Sequence, residues 1–163
     1  MINLKPSNEQ NIKSMLRSHP NDELELGMAD SIFKVIPTET LTNPKAFIAQ
    51  SRQGIPGSWI KDIVENSGMR DVFLSVLGVS SGNLSRIYRR PALPKQTSEE
   101  VLDTARVIYL AIQTWTSTAQ AQQWMATPLA ALGGTAPIAL LDTFEGRRWV
   151  AQTLRKIESG EFS

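Results

Sequence analysis

The stretch Arg70 to Arg89, R-D-V-F-L-S-V-L-G-V-S-S-G-N-L-S-R-I-Y-R, has the spacing of two short helices joined by a turn. In a helix-turn-helix the two helices meet at roughly 90 to 120 degrees, the turn often holds a glycine, and apolar residues lock the pair. Counted from Arg70, the apolar places are filled by Phe73, Leu77, Val79, Leu84 and Ile87, and Gly78 falls at the turn. One position departs from the pattern. Leu74 stands where the helices approach closely and a small residue is usual, which predicts a wider crossing. Ser80 or Ser81 is placed to cap the second helix through its side-chain oxygen. Ser81, Asn83, Ser85, Arg86 and Arg89 then lie away from the apolar lock and face outward. Arginine can bond guanine O6 and N7 together, asparagine can bond adenine N6 and N7, and serine and further arginines can hold phosphates. Arg86 and Asn83 are the predicted base readers, and Arg90, at the helix end, a backbone contact. A plain helical packing unit is the competing explanation; three arginines on the second helix weigh against it.

The charge distribution outward from this stretch supports an anionic partner. The 163-residue chain carries 17 Lys and Arg against 16 Asp and Glu, a formal charge of +1. Residues 1–50 hold 5 basic and 6 acidic groups, 51–95 hold 7 and 3, and 96–163 hold 5 and 7. The excess sits in the middle third, with Arg86, Arg89 and Arg90 inside five residues, and a concentrated patch on a near-neutral chain is the electrostatic footprint of an anion binder.

Turn formers at Pro37, Asn43-Pro44, Gly54 to Gly57, Pro91 to Pro94 and Leu132-Gly133-Gly134 punctuate the chain. Pro44 to Gln53 reads as a helix with Phe47 and Ile48 inward. Pro56 to Ser67 reads as another, with Trp59, Ile60, Ile63 and Val64 on one face and Gly68 after its end. A long helix is predicted from about Ser98 to Trp115, with Thr97 and Glu100 in capping-box spacing. Its inward face is Val101, Ala105, Ile108, Ile112 and Trp115, recurring at steps of four and three. Residues 1–43 are poorly periodic, with apolar clusters only at Leu24, Leu26, Ile32, Phe33, Val35 and Ile36, and fit a strand, a helix or an arm. Little alternates with period two, so the fold class is all-α.

Composition removes several functions. There is no cysteine and one histidine, His19, so disulfides, zinc-thiolate sites, iron-sulfur clusters and multi-histidine metal sites fall away. No cofactor, metal or catalytic residue is expected, and the chain is read as no enzyme. No signal-peptide core or run of about 20 apolar residues occurs, which makes the cytoplasm the expected compartment and a membrane partner unexpected.

From Ala119 the chain reads A-Q-A-Q-Q-W-M-A-T-P-L-A-A-L-G-G-T-A-P-I-A-L-L-D-T-F-E-G-R-R-W-V-A-Q-T-L-R-K-I-E-S-G-E-F-S. Ala121, Trp124 and Met125 face inward on a short helix that stops before Pro128. Leu129 and Leu132 pack a single turn, Gly133-Gly134 reverses the chain, and Thr135 is expected to cap a short helix through Leu141. Thr143 caps a last helix with Val150, Leu154 and Ile157 inward and Gly160 at its C-terminus. Arg147, Arg148, Arg155 and Lys156 are assigned to the polar side of that helix. Trp149 is read as core or as an interface ring.

This run resembles the toxin-binding domain of bacterial Xre-class antitoxins, the partners of RES-domain toxins, with the MbcA and ParS antitoxins as relatives. The residues that carry the likeness are Trp124, Pro128, Leu132-Gly133-Gly134, Pro137, Leu140 to Thr143, Gly146, Val150, Leu154, Ile157, Gly160 and Phe162. It extends backward through the long helix and the helix-turn-helix, covering roughly residues 54 to 163.

The resemblance implies two linked activities. One is operator binding by an Xre-like helix-turn-helix module, autorepressing a toxin-antitoxin operon. The other is inhibition of a cognate RES-domain, NAD-degrading toxin, whose active-site cleft is blocked by the last helix and tail. The implied toxin-binding residues are Arg148, Arg155, Gly160, Glu161, Phe162 and Ser163. Phe162 suits such a role, because a chain terminus without a partner is usually frayed and polar whereas aromatics are favoured interface anchors. Folding of Phe162 onto the chain's own core is the competing explanation.

The expected layout is an N-terminal arm over 1–50, a DNA-binding domain over 51–116 and a toxin-binding domain over 117–163. Two-fold operators need recognition helices about 34 Å apart, so a homodimer and a toxin-antitoxin hetero-oligomer are expected. The apolar residues within 24–36 and the long helix are candidate dimer surfaces. The alternative is a stand-alone dimeric helix-turn-helix regulator with no toxin partner.

Overall fold

The computed structural model describes residues 32–161. Regular structure among these residues is helical, and strand-type pairing is confined to one bridge between Leu129 and Thr135. The fold is therefore all-α. A helical turn at 32–35 leads into α1 (Thr38–Thr42) and α2 (Pro44–Gln53). Next come α3 (Gly57–Asn66), α4 (Arg70–Leu77), a 3-10 turn (Ser81–Asn83) and α5 (Leu84–Tyr88). The chain continues through α6 (Lys95–Trp115), α7 (Thr118–Ala126), 3-10 turns Ala130–Leu132 and Pro137–Leu140, and α8 (Phe144–Ser159).

Helix α6 is the axis of the fold, with α1, α2, α4, α7 and α8 all packed on it. Its predicted stripe is present: Val101, Ala105 and Ile108 are buried, with Ile112 and Trp115 partly so. Leu102, Val107 and Ala111 are buried as well, because a helix surrounded by others buries more than one face. One continuous core results, joining Phe47, Ile60, Ile63 and Phe73 to Leu132, Leu141, Val150 and Leu154.

Helix α6 begins at Lys95, ahead of the expected start, and Thr97 lies inside its first turn instead of capping it. Pro94 holds the cap position with extended geometry, and Ser98 performs the tertiary role. Its hydroxyl oxygen accepts a hydrogen bond from the Ile55 amide at 3.0 Å while its hydroxyl donates to the Leu93 carbonyl at 3.3 Å. Helix α2 is capped by Asn43, whose Oδ1 accepts from the Lys45 and Ala46 amides. Phe47 faces inward as expected, but Ile48, the next residue, is 47% exposed, since consecutive helical positions lie about 100° apart.

The apolar residues that precede α1 are core material. Ile32 and Ile36 are fully buried, and the Phe33 ring meets Tyr109 edge-on at 5.3 Å between centroids. Ile32, Ile36 and the buried stripe of α6 are thus occupied inside the chain itself. Leu24, Leu26 and His19 lie outside the described residues.

Candidate functional site

The helix-turn-helix stretch folds as two short helices around Gly78, whose φ of +62° is the left-handed conformation that ends α4. The Gly78 and Val79 amides donate to the Ser75 and Leu74 carbonyls, closing the turn. Phe73 and Leu84 are buried, while Leu77, Val79 and Ile87 are partly buried against the core. Helix α5 packs on α3. There the Gly57 amide donates to the Arg90 carbonyl at 2.9 Å, and a Cβ on Gly57 would collide with the Ile87 carbonyl oxygen. No side-chain cap from Ser80 or Ser81 forms, and the first turn of the second helix is 3-10. Instead Asn83 Nδ2 donates to Ser80 Oγ at 3.2 Å.

Ser81, Asn83, Ser85, Arg86, Arg89 and Arg90 are all exposed, and they share this short segment. Arg89 Nε is held by the Ser85 carbonyl at 3.1 Å. Tyr88, beside them, buries its hydroxyl against Arg70. Its burial pushes the phenol pKa above its ordinary value, against the opposing charge of Arg70.

The C-terminal third is built from local caps. Ser117 accepts from the Gln120 amide at the start of α7, and Ala121, Trp124 and Met125 are buried as expected. After Pro128, Gly133 and Gly134 reverse the chain with φ of +65° and +79°. Thr135 pairs with Leu129 in the isolated bridge and does not cap the following turn, where Ala136 holds the cap position. Thr143 Oγ1 accepts from the Gly146 amide at 3.0 Å, capping α8. Val150 and Leu154 are buried, Ile157 is partly buried, and Gly160 ends the helix at φ +72°.

Arg147 is the principal correction within this helix. It is only 4% exposed. Its Nε donates to Asp103 Oδ2 of α6 at 2.7 Å and its NH1 to the Leu141 carbonyl at 2.9 Å. Asp103 also pairs with Arg106, whose guanidinium lies 4.3 Å above the Phe47 ring of α2. The sequence placed Arg147 on the polar side of α8; the structure makes it the latch that fixes α8 to α6.

Arg148 is exposed and loosely paired with Glu145 at 3.3 Å, and Arg155 is exposed farther along the helix. With Arg106, Phe144 and Arg147 they line a groove of about 330 Å³ between α6 and α8, in which Phe144 is 68% exposed. Gly160 and Glu161 are exposed beyond the end of α8, whereas Phe162 and Ser163 lie outside the described residues. Trp149 is 42% exposed on the opposite flank, its ring edge 3.7 Å from where a Cβ on Gly133 would stand. Phe144 and Arg106 were missed in the sequence. The helical wheel held the signal for Phe144: at about 100° per residue, positions 144, 148 and 155 share a face well away from Val150 and Leu154.

The sequence of this third has known counterparts. Residues 110–160 match the family model of the antitoxin Xre/MbcA/ParS C-terminal toxin-binding domain. This segment is similar to that antitoxin domain. The match begins within α6, so the axial helix is shared between the matched segment and the helices before it. A curated relative, the Prs ADP-ribosylating antitoxin of Sphingobium sp. (strain YBL2), is 52% identical over 40 residues, 24% of this chain and 25% of that protein. The alignment thus spans about a quarter of the relative's length.

Proposed function

We propose that this chain is an antitoxin that neutralises a cognate RES-domain, NAD-degrading toxin by covering its active-site cleft with α8 and the tail after Gly160. The observation that carries the reading is the family match over residues 110–160, which contains the whole of α8. The similarity to a Prs ADP-ribosylating antitoxin fits an NAD-consuming target, since ADP-ribosylation takes its ADP-ribose from NAD. Arg148, Arg155, Gly160, Glu161, Phe162 and Ser163 are the proposed toxin contacts.

The same reading makes the exposed Ser81 to Arg90 surface the operator-binding face, through which a homodimer autorepresses the operon. Arg86 is the foremost base reader, because Asn83 and Arg89 are engaged with Ser80 and Ser85 whereas Arg86 is exposed with no hydrogen bond or ion pair recorded among the described residues. In its complexes the chain acts by binding, without cofactor or catalytic chemistry of its own, in the cytoplasm. No helix among the described residues is long and apolar enough to cross a membrane.

Co-purification with the product of the neighbouring gene tests the proposal. A toxic neighbour that is captured by the full chain and released by a chain ending at Ser159 supports it. Failure of the full chain to capture or neutralise that product overturns it in favour of a stand-alone regulator.

A further inference from the structure

Resting on the antitoxin reading above, we propose that the groove between α6 and α8 receives an acidic segment of the toxin, at a place separate from the tail. Of the charged residues lining it, four are arginines, Arg106, Arg147, Arg148 and Arg155, and one is an acid, Asp103. Asp103 is already consumed by its pairs with Arg106 and Arg147. Among the described residues Arg148 pairs with Glu145, itself exposed, and the two are weakly held at 3.3 Å. The groove therefore keeps unspent positive charge where a partner's carboxylates would be partly withdrawn from water, and guanidinium groups bind carboxylates there in bidentate geometry.

Phe144 gives the groove an apolar wall. Its ring follows the capping Thr143 directly, so it stands at the first turn of a helix fixed to the core by Arg147, and it is 68% exposed. A rigid exposed ring flanked by arginines has the composition of an interface anchor. The position of the anion is also defined. The adjoining cleft shares Arg106 and Arg147 but adds Glu99 and Glu100 to Asp103, so its acids outnumber its arginines and an acidic segment is favoured at the Arg148–Arg155 end.

The groove lining runs along α8 from Phe144 to Arg155, which stands five residues before Gly160, so a chain ending at Ser159 loses the tail and keeps every lining residue. The test titrates the captured toxin by calorimetry with the full chain, with Phe144→Ser, Arg155→Glu and their double variant, and with the chain ending at Ser159, at two salt concentrations. Both substitutions lie on exposed positions, and unchanged thermal melting verifies the fold. The expected result is at least a tenfold loss of affinity for Arg155→Glu, with a shallower salt dependence, and recovery when the contacting toxin carboxylate is changed to lysine. Wild-type affinity and salt dependence in Arg155→Glu, with the toxin still bound, overturns the groove proposal and leaves the antitoxin reading intact.

If the full chain captures no toxin, the antitoxin reading has failed, and hexaglutamate serves as the probe of the groove by NMR titration of the full chain. Shifts centred on Phe144, Arg148 and Arg155 and absent with hexalysine then uphold its acidic specificity. Shifts centred instead on the Arg86–Arg90 surface overturn it. A duplex DNA oligonucleotide competing for the groove residues likewise overturns the choice of an acidic protein segment.

Discussion

Replacing Arg147 with methionine separates a buried latch from a solvated surface charge. Methionine keeps much of the apolar stem, so the change chiefly removes the 2.7 Å pair to Asp103 and the 2.9 Å bond to the Leu141 carbonyl. Breaking a buried ion pair from one side costs about 3–5 kcal/mol, because the partner charge is left uncompensated. Asp103 retains Arg106 and a side chain that is 13% exposed, which places the loss at the lower end, about 3 kcal/mol. For a chain of this size that corresponds to a fall in Tm of about 6–12 °C. In urea, with m near 2 kcal/mol/M, the midpoint falls by about 1.5 M. The assay is urea and thermal denaturation of wild type, Arg147→Met, and Arg148→Met as the exposed control. Asp103→Asn combined with Arg147→Met should lose less than the sum of the single changes, since the two residues share one interaction. A Tm for Arg147→Met equal to that of the Arg148→Met control would refute the latch and restore the solvated-face assignment.

Other expectations follow from the Arg70 to Arg90 region. Arg86→Ala should weaken specific operator binding by about 1–3 kcal/mol with little change in melting, as read by gel shift at fixed salt; unchanged affinity would remove Arg86 as a base reader. Tyr88 has a raised pKa through burial, so its neutral phenol is favoured by the fold. Its stabilising contribution is therefore fully present below the ordinary tyrosine pKa near 10 and is lost as pH rises through the higher folded value. Alkaline unfolding curves should show less pH dependence in Tyr88→Phe than in wild type, and identical dependence would contradict this origin.

The parts legible in the sequence were those governed by local chemistry. The recurrence of Val101, Ala105 and Ile108, the Thr143 cap and the Gly160 terminus each depend on a few neighbouring residues, and each occupies the expected place. Gly78 likewise announces its turn, because a positive φ is unfavourable for most other residues.

Tertiary competition hid the rest. Thr97 and Glu100 have capping-box spacing, yet the helix starts earlier, where Ser98 can serve Ile55 and Leu93. Arg147 has the same charge as Arg148 beside it, but it stands three and seven residues before Val150 and Leu154 on the buried face of α8, where Asp103, 44 residues away, and the Leu141 carbonyl receive it. Ile32 and Ile36 gave no periodic signal because their partners are supplied by distant helices. The candidate toxin face was half legible: Arg148 and Arg155 stood out as charges, while Phe144 was overlooked beside the cap it follows.

The most direct measurement is NAD consumption by the proposed toxin, followed as increasing amounts of the purified chain are added. Occlusion by α8 and the tail predicts stoichiometric inhibition by the full chain and restored turnover when the added chain ends at Ser159. Full NAD turnover by a toxin demonstrably bound to the full chain would contradict active-site occlusion.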